Sequence, residues 1–402
     1  MTITFWILVA FVFYVYAGYP LVLLKLGAWV QVWRDLRYVF GRGERRAVQL
    51  ADWPDVTLLV CAYNEEKIIG ERIRNALALD YPRERLEILV ASDGSDDRTA
   101  EIVRGFASEG VRLIDYAERS GKVSVLNRSV PQCRGEIVVL SDANTMYDAA
   151  ALRNLVRHFA DERVGVVVGE MRLVSPNAAY KAEARYWRYE TVLKFLENRL
   201  GAVVGANGGI YAIRKALFEP VASNTITDDF VIPMRICARG ARAVYDCEAL
   251  AFEETARDAA TEAVRRVRIA AGNYQSMWTC RALLNPLRGA MAFCFWSHKV
   301  VRWLVPFALI ALFVVNGLMA LGVGAGKVAG WGWPAGVYRW LFAAQEAFYV
   351  LAAVGAAVRR PRVVRKVLGL PHYFTLMNLS LLRGFLRCVL GRQAVTWKRT
   401  ER

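Results

Sequence analysis

Val56-Thr57-Leu58-Leu59-Val60-Cys61-Ala62-Tyr63-Asn64-Glu65-Glu66 and, further on, Leu86-Glu87-Ile88-Leu89-Val90-Ala91-Ser92-Asp93-Gly94-Ser95-Asp96-Asp97 decide the fold. Each is an apolar, β-branched run of strand length that stops at a cluster of acidic and turn-forming residues. The pattern extends outward, with apolar runs at 111–116 and 137–141 and helical spacing over 66–79, 98–108 and 122–130 between them. Strands separated by helices of that length need crossover connections, hence an α/β fold with a mostly parallel sheet. Ligands of such sheets bind outside the carboxyl ends of the strands. Three of those ends are polar or acidic: Asn64-Glu65-Glu66, Asp93 to Asp97, and Asp142-Ala143-Asn144. Any one of them reads equally well as turn chemistry or a helix cap. Three on one edge point to a nucleotide and a divalent cation, because hard cations take carboxylate and carbonyl oxygens. The chain contains neither GxGxxG nor GxxxxGK[ST], which argues against dinucleotides and P-loop phosphates.

The 402 residues are 55% hydrophobic and 22% charged, too apolar for a disordered chain and unusual for a wholly soluble enzyme. Residues 3–24 carry no charge, enough to cross a bilayer, and lack the basic start and small-residue cleavage site of a signal peptide. Further spans are expected over about 304–324 and 337–358, joined by an outer loop at 325–336 that holds Trp331 and Trp333. The net charge of +16 is concentrated beside these segments: residues 25–50 hold six basic and two acidic side chains, and residues 359–402 hold eleven and one. That placement follows the positive-inside rule rather than the basic face of a nucleic-acid-binding domain, so no nucleic-acid partner is expected. It puts the central block on the cytoplasmic side of an inner membrane, as part of a multi-pass protein. The expected organisation is an N-terminal membrane helix at 1–26, a basic linker at 27–50, the α/β domain at 51–280 and an interfacial helix region at 281–303. Two membrane helices at 304–358 follow, then a basic segment at 359–402 with a re-entrant, interfacial or further membrane helix. The seven cysteines form no CxxC pair, which favours reduced thiols over a metal site or a disulfide framework.

Four more segments complete the pattern: Gly121-Lys122-Val123-Ser124-Val125-Leu126-Asn127, Asn207-Gly208-Gly209 running into Ile210-Tyr211-Ala212-Ile213-Arg214, Thr227-Asp228-Asp229, and Arg265-Arg266-Val267-Arg268-Ile269. In order and spacing, the whole set resembles the membrane-bound family-2 glycosyltransferases with a GT-A domain. The resemblance is to the processive polysaccharide synthases, among them the cellulose, hyaluronan and poly-N-acetylglucosamine synthases, and it covers nearly the whole chain. It implies that Ala62, Tyr63 and Glu65 line a uridine pocket and that Asp93 binds the uracil and ribose end of a UDP-sugar. Lys122, in a GKxxxLN helix, would reach towards the nucleotide, and Asp142 and Asn144 at the DxD position would hold Mg²⁺ or Mn²⁺. Asn207, Gly208 and Gly209 would floor the acceptor site, with Asp229, last residue at the TED position, as catalytic base and Asp228 supporting it. Arg265 and Arg268 stand at the (Q/R)xxRW position. The chain departs from the family twice: Asn144 replaces the last carboxylate of DxD, and Ile269 replaces the tryptophan of the last motif.

The chemistry needs these groups. An acceptor hydroxyl must lose its proton as it attacks the anomeric carbon, and a carboxylate in hydrogen-bond reach suffices. The leaving diphosphate gathers negative charge, which a divalent cation offsets and a guanidinium pair such as Arg265 and Arg268, three residues apart on a helix, can steady. Direct displacement inverts the anomeric centre. The expected function is therefore inverting transfer from a UDP-sugar to a growing surface or extracellular polysaccharide, with an oligomer or export partner open. A lipid acceptor taking a single sugar and a non-catalytic nucleotide-sugar-binding regulator are the alternatives. His158 and His372 lack partner patterns and read as packing, Ser297-His298-Lys299 as an interfacial anchor, and residues 180–200 as an amphipathic helix at the membrane or in the core.

Overall fold

Helix α1 (Thr2–Val39) precedes the sheet domain, with one π-helical stretch at Tyr14–Gly18. Beyond it the chain alternates as the sequence predicts: β1 (Val56–Ala62), α2 (Ile69–Leu77), β2 (Leu86–Asp93), α3 (Thr99–Arg104), β3 (Val111–Tyr116), α4 (Lys122–Ser129) and β4 (Ile137–Asp142). Then come β5 (Thr145–Tyr147), α5 (Ala151–Val156), β6 (Val164–Val174), α6 (Lys181–Arg199), β7 (Tyr211–Arg214), α7 (Asp228–Ala238), β8 (Arg242–Glu254) and α8 (Ala259–Thr279). The chain closes with α9 (Ala290–Ala320), α10 (Ala335–Ala357) and α11 (Arg362–Val389). This computed structural model describes every residue outside 42–49, 51, 175–180, 255–258, 325–333, 358–361 and 393–402. The outer loop with Trp331 and Trp333, part of the basic linker and the last basic residues lie outside that set.

The eight strands form one sheet in the order β3-β2-β1-β4-β7-β6-β8-β5. β1 runs parallel to β2 and β4, and β2 to β3, so the crossover half is as expected. The second half is mixed: β7 inserts antiparallel between β4 and β6, and β5 pairs antiparallel with β8. The apolar runs are continuous because both faces of the sheet are covered. Leu59, Leu89, Val138 and Leu140 face one core, which also takes in Tyr19 and Leu23 of α1 and Phe295 and Trp303 of α9. Leu58, Val60, Ile88, Val90 and Val139 face the other, against α2 and α5.

Among the described residues, three helices are long and apolar enough to cross a membrane: Thr2–Val39, Ala290–Ala320 and Gly336–Ala357. The second starts earlier than the sequence reading placed it, since residues 290–303 continue into the apolar stretch as one helix. It carries His298, Lys299 and Arg302, polar side chains that hide this part of the helix from a hydropathy reading but that pair with carboxylates of α6. Helix α11 is not among the three and lies directly on α8. A Cβ added to Gly384 would come 2.4 Å from the Ala270 Cβ, so the two helices meet at a position only glycine allows.

Candidate active site

The parallel half of the sheet brings its polar strand ends together by register alone. Ala62 is opposite Ser92, Cys61 opposite Asp142, and Asp93 opposite Tyr116. Just past β1, Asn64 adopts φ 55°, a left-handed turn that asparagine tolerates. It holds the neighbouring loop, with Asn64 Nδ2 donating to Asp96 Oδ1 at 2.5 Å and Asp96 N donating to Asn64 Oδ1 at 3.0 Å. The Glu65 amide is tied to the same loop by a 2.8 Å bond to Thr99 Oγ1. The Tyr63 ring is covered by the Arg119 guanidinium, 3.9 Å from its centroid, a residue the motif reading did not pick out.

Asp93 is buried and organises the approach to α4. Its Oδ1 accepts from the Ser120 amide at 2.7 Å and its Oδ2 from the Gly121 amide at 2.8 Å. Gly121 takes φ 89° at that point, which a side chain would oppose. The turn starts α4 so that Lys122 reaches across to the ends of β4 and α7. Lys122 Nζ sits 2.6 Å from Asp142 Oδ1 and 3.3 Å from Asp228 Oδ2. Burial works against this ammonium, but Asp142 and Asp228 outweigh it and hold its pKa well above the usual lysine range. Asn127, the last residue of the same motif, clamps the loop before α7 through paired bonds to Val221 of 2.7 and 3.0 Å.

Asp228 and Asp229 open α7, where carboxylates are favoured by the free amides and the dipole. Asp228 is buried, whereas Asp229 is partly open to solvent. Burial first, then the neighbouring charges of Asp228 and Asp142, push the Asp229 carboxyl up to about 6, with Lys122 and Lys194 pulling the other way. Gly208 lies against it: a Cβ there would come 3.2 Å from Asp229 Oδ2. Gly209 is pinned by Tyr147, whose hydroxyl donates to its carbonyl at 2.9 Å. Arg268 feels the charges of Asp228, Asp229, Arg265 and Asp142, and burial lowers its pKa. The structure thus brings Lys122, Asp142, Asp228, Asp229, Gly208 and Arg268 to one edge.

This edge holds buried polar atoms without hydrogen-bond partners: Asn144 Nδ2, Thr145 Oγ1 and the Tyr211 hydroxyl. Buried polar groups are ordinarily satisfied, and orphans mark a place where a ligand or ion belongs. Asp142 and Asn144 fit a hard cation. Lys122 engages Asp142 at Oδ1, which leaves Oδ2 as a ligand, and Asn144, whose Nδ2 has no hydrogen-bond partner, carries a carboxamide oxygen of the kind a hard cation takes. Among the described residues no three His, Cys, Asp or Glu side chains are placed so that they could hold a metal ion together, so a cation here would draw its other ligands from phosphate oxygens and water.

Tyr274, after the replaced tryptophan position, donates to the Trp303 carbonyl at 2.6 Å and packs edge-on against Phe385. One expectation falls differently. His298 is a buried group between Glu190 and Glu197 rather than an interfacial anchor. The sequence reading also missed Lys194, whose Nζ bonds Asn207 Oδ1. A polar stripe at 190, 194 and 197 on an otherwise apolar helix face was the available signal.

Residues 54–272 match the family model described as glycosyltransferase like family 2, and the chain belongs to that family. A probable glycosyltransferase of Bacillus subtilis, YdaM, is 26% identical over 301 residues, covering 70% of each chain. The poly-beta-1,6-N-acetyl-D-glucosamine synthase of Staphylococcus aureus is 26% identical over 221 residues, covering 53% of this chain and 52% of the synthase. This chain therefore spans about half the length of that synthase. Among solved structures, the mannosyltransferase PcManGT of Pyrobaculum calidifontis, determined with GDP-Man and Mn²⁺, superposes with a TM-score of 0.64. It is 23% identical over 97% of this chain and 99% of that one, so the GT-A fold is shared. The protein is a glycosyltransferase.

Proposed function

We propose that the protein transfers a sugar from a UDP-sugar to an acceptor hydroxyl with inversion, at the cytoplasmic face of the inner membrane, to build a surface or extracellular polysaccharide. The observation that supports this most is the Asp229 carboxyl: partly open, pushed up to about 6 by burial and Asp228, and set beside the Lys122–Asp142 pair at the ligand-binding edge. A base of that pKa is mostly ionised near neutrality yet still takes a proton readily. Asp229 accepts the proton of the attacking hydroxyl, while Asp228 and Lys122 fix the start of α7. Asp142 and Asn144 would hold a divalent cation, which as a Lewis acid would offset charge on the leaving diphosphate. Arg265 and Arg268 face the same diphosphate, and Ala62, Tyr63, Glu65 and Asp93 form the nucleoside end. Asn207, Gly208 and Gly209 support the acceptor. The basic segments after the first and third apolar helices support the cytoplasmic placement.

The test is release of nucleoside diphosphate by the protein in lipid nanodiscs, across UDP-sugars and GDP-mannose with Mg²⁺ or Mn²⁺, followed by sizing the product. Release from one UDP-sugar with a polymer ladder is expected. One discrete lipid product would replace the polymer by a glycolipid, and release from GDP-mannose alone would overturn the donor.

A further inference from the structure

Helix α6 carries three charged side chains on its buried face: Glu190, Lys194 and Glu197, which are 7%, 6% and 0% exposed. On one side they meet the start of α9. His298 lies between the carboxylates, its Nε2 3.1 Å from Glu190 and its Nδ1 2.6 Å from Glu197. Lys299 is 3.3 Å from Glu190, and Arg302 bonds the same carboxylate. Glu197 also accepts from the Tyr19 hydroxyl of α1 at 2.7 Å and from the Val204 amide at 3.2 Å. On the other side is the catalytic edge. Lys194 Nζ donates to Asn207 Oδ1, and Asn207 Nδ2 donates to the Gly169 carbonyl at 2.7 Å, so the carboxamide is clamped at both ends. The Asn207 carbonyl closes a turn by accepting from Ile210 N at 3.0 Å. That turn contains Gly208, the backbone against which Asp229 rests.

We infer that Lys194 is a positioning residue for the acceptor base, linking the seating of α6 on the first turns of α9 to the placement of Asp229 through Asn207 and Gly208. The inference rests on the reading of Asp229 as the base. A buried ammonium is expensive to keep, so an uncharged side chain would serve packing alone better. Lys194 faces Glu190 and Glu197 on its own helix, Lys299 on α9, Asp229 on α7 and the Asn207 carboxamide. Asp229 in turn faces Asp228, Lys122, Asp142 and Lys194. Burial and Lys299 lower the Lys194 ammonium to about 8, and the three carboxylates resist that change. Its charge favours the ionised form of Asp229, and its hydrogen bond fixes the turn beneath it.

The experiment compares Lys194→Met, Lys194→Gln, Lys194→Arg and Asp229→Asn with the wild type in nanodiscs. It uses the donor that the wild type turns over and follows nucleotide release against pH, with binding of the nucleoside diphosphate as a check on the fold. Lys194→Met should lose about 10²-fold in kcat while its donor KM stays within about 3-fold. Its acid limb should move to higher pH, because the base has lost a stabilising positive charge. Lys194→Arg should recover most of the rate. Lys194→Gln, which keeps a donor for Asn207, should recover rate but keep the displaced limb. Wild-type kcat and pH profile in Lys194→Met would overturn the inference. So would equal losses in kcat and nucleotide affinity that Lys194→Arg fails to rescue. If Asp229→Asn itself turns over normally, the base assignment falls; if only the Lys194 variants behave as wild type, that assignment stands and this inference alone falls.

Discussion

Two buried groups of carboxylates lie on either side of Lys194, and they are built on opposite principles. At the junction with α9, Glu190 and Glu197 meet His298, Lys299, Arg302, Tyr19 and a backbone amide, so both acids are fully engaged. At the sheet edge, Asp142, Asp228 and Asp229 cluster around Lys122, and Asn144, Thr145 and Tyr211 each leave a polar atom without a hydrogen-bond partner. A satisfied cluster rigidifies and specifies a packing arrangement; an unsatisfied one is strained until something binds. The first group therefore belongs to architecture and the second to chemistry, although both would be listed alike as acidic residues in a sequence.

The comparison breaks most visibly if the junction is cut. Glu197→Leu removes one of the two carboxylates that hold His298 and the acceptor of the Tyr19 hydroxyl, and removing one partner of a buried ionic group costs about 3–5 kcal/mol. A large fall in the thermal midpoint in detergent is expected; a change of about 0.5 kcal/mol or less would mean the junction is not held by these bonds. At the sheet edge, additions should help rather than harm. Asn144→Asp supplies the missing carboxylate and should tighten Mn²⁺ by about 10-fold in a spectroscopic titration, since affinity follows ligand charge. Unchanged affinity would remove Asn144 from the cation site.

Much of this edge was legible in the sequence, for a physical reason. β1, β2 and β4 are covered on both faces, so each reads as an unbroken apolar run, and parallel pairing places every end at the same edge. Asp93, Lys122 and Asp142 therefore fell where their strands and turns put them. The second half of the sheet was not legible, because β7 is four residues long and inserts antiparallel between strands remote in sequence. The start of α9 was hidden by His298, Lys299 and Arg302, whose charges read as solvent-exposed until their partners on α6 are known. Lys194 was hidden for the same reason. Charge in a sequence marks cost, and only the fold shows where that cost is offset.

The central claim is that Asp229 takes the acceptor's proton, and the most direct measurement is nucleotide release against pH by the wild type and Asp229→Asn. Because burial and Asp228 raise this carboxyl to about 6, the base is lost to protonation as pH falls through that value, and the wild-type rate should rise across it and level off above. Asp229→Asn should bind nucleotide normally, lose about 10²–10⁴-fold in rate and show no such limb. Turnover of Asp229→Asn at the wild-type rate, or the same acid limb in both proteins, would contradict the account.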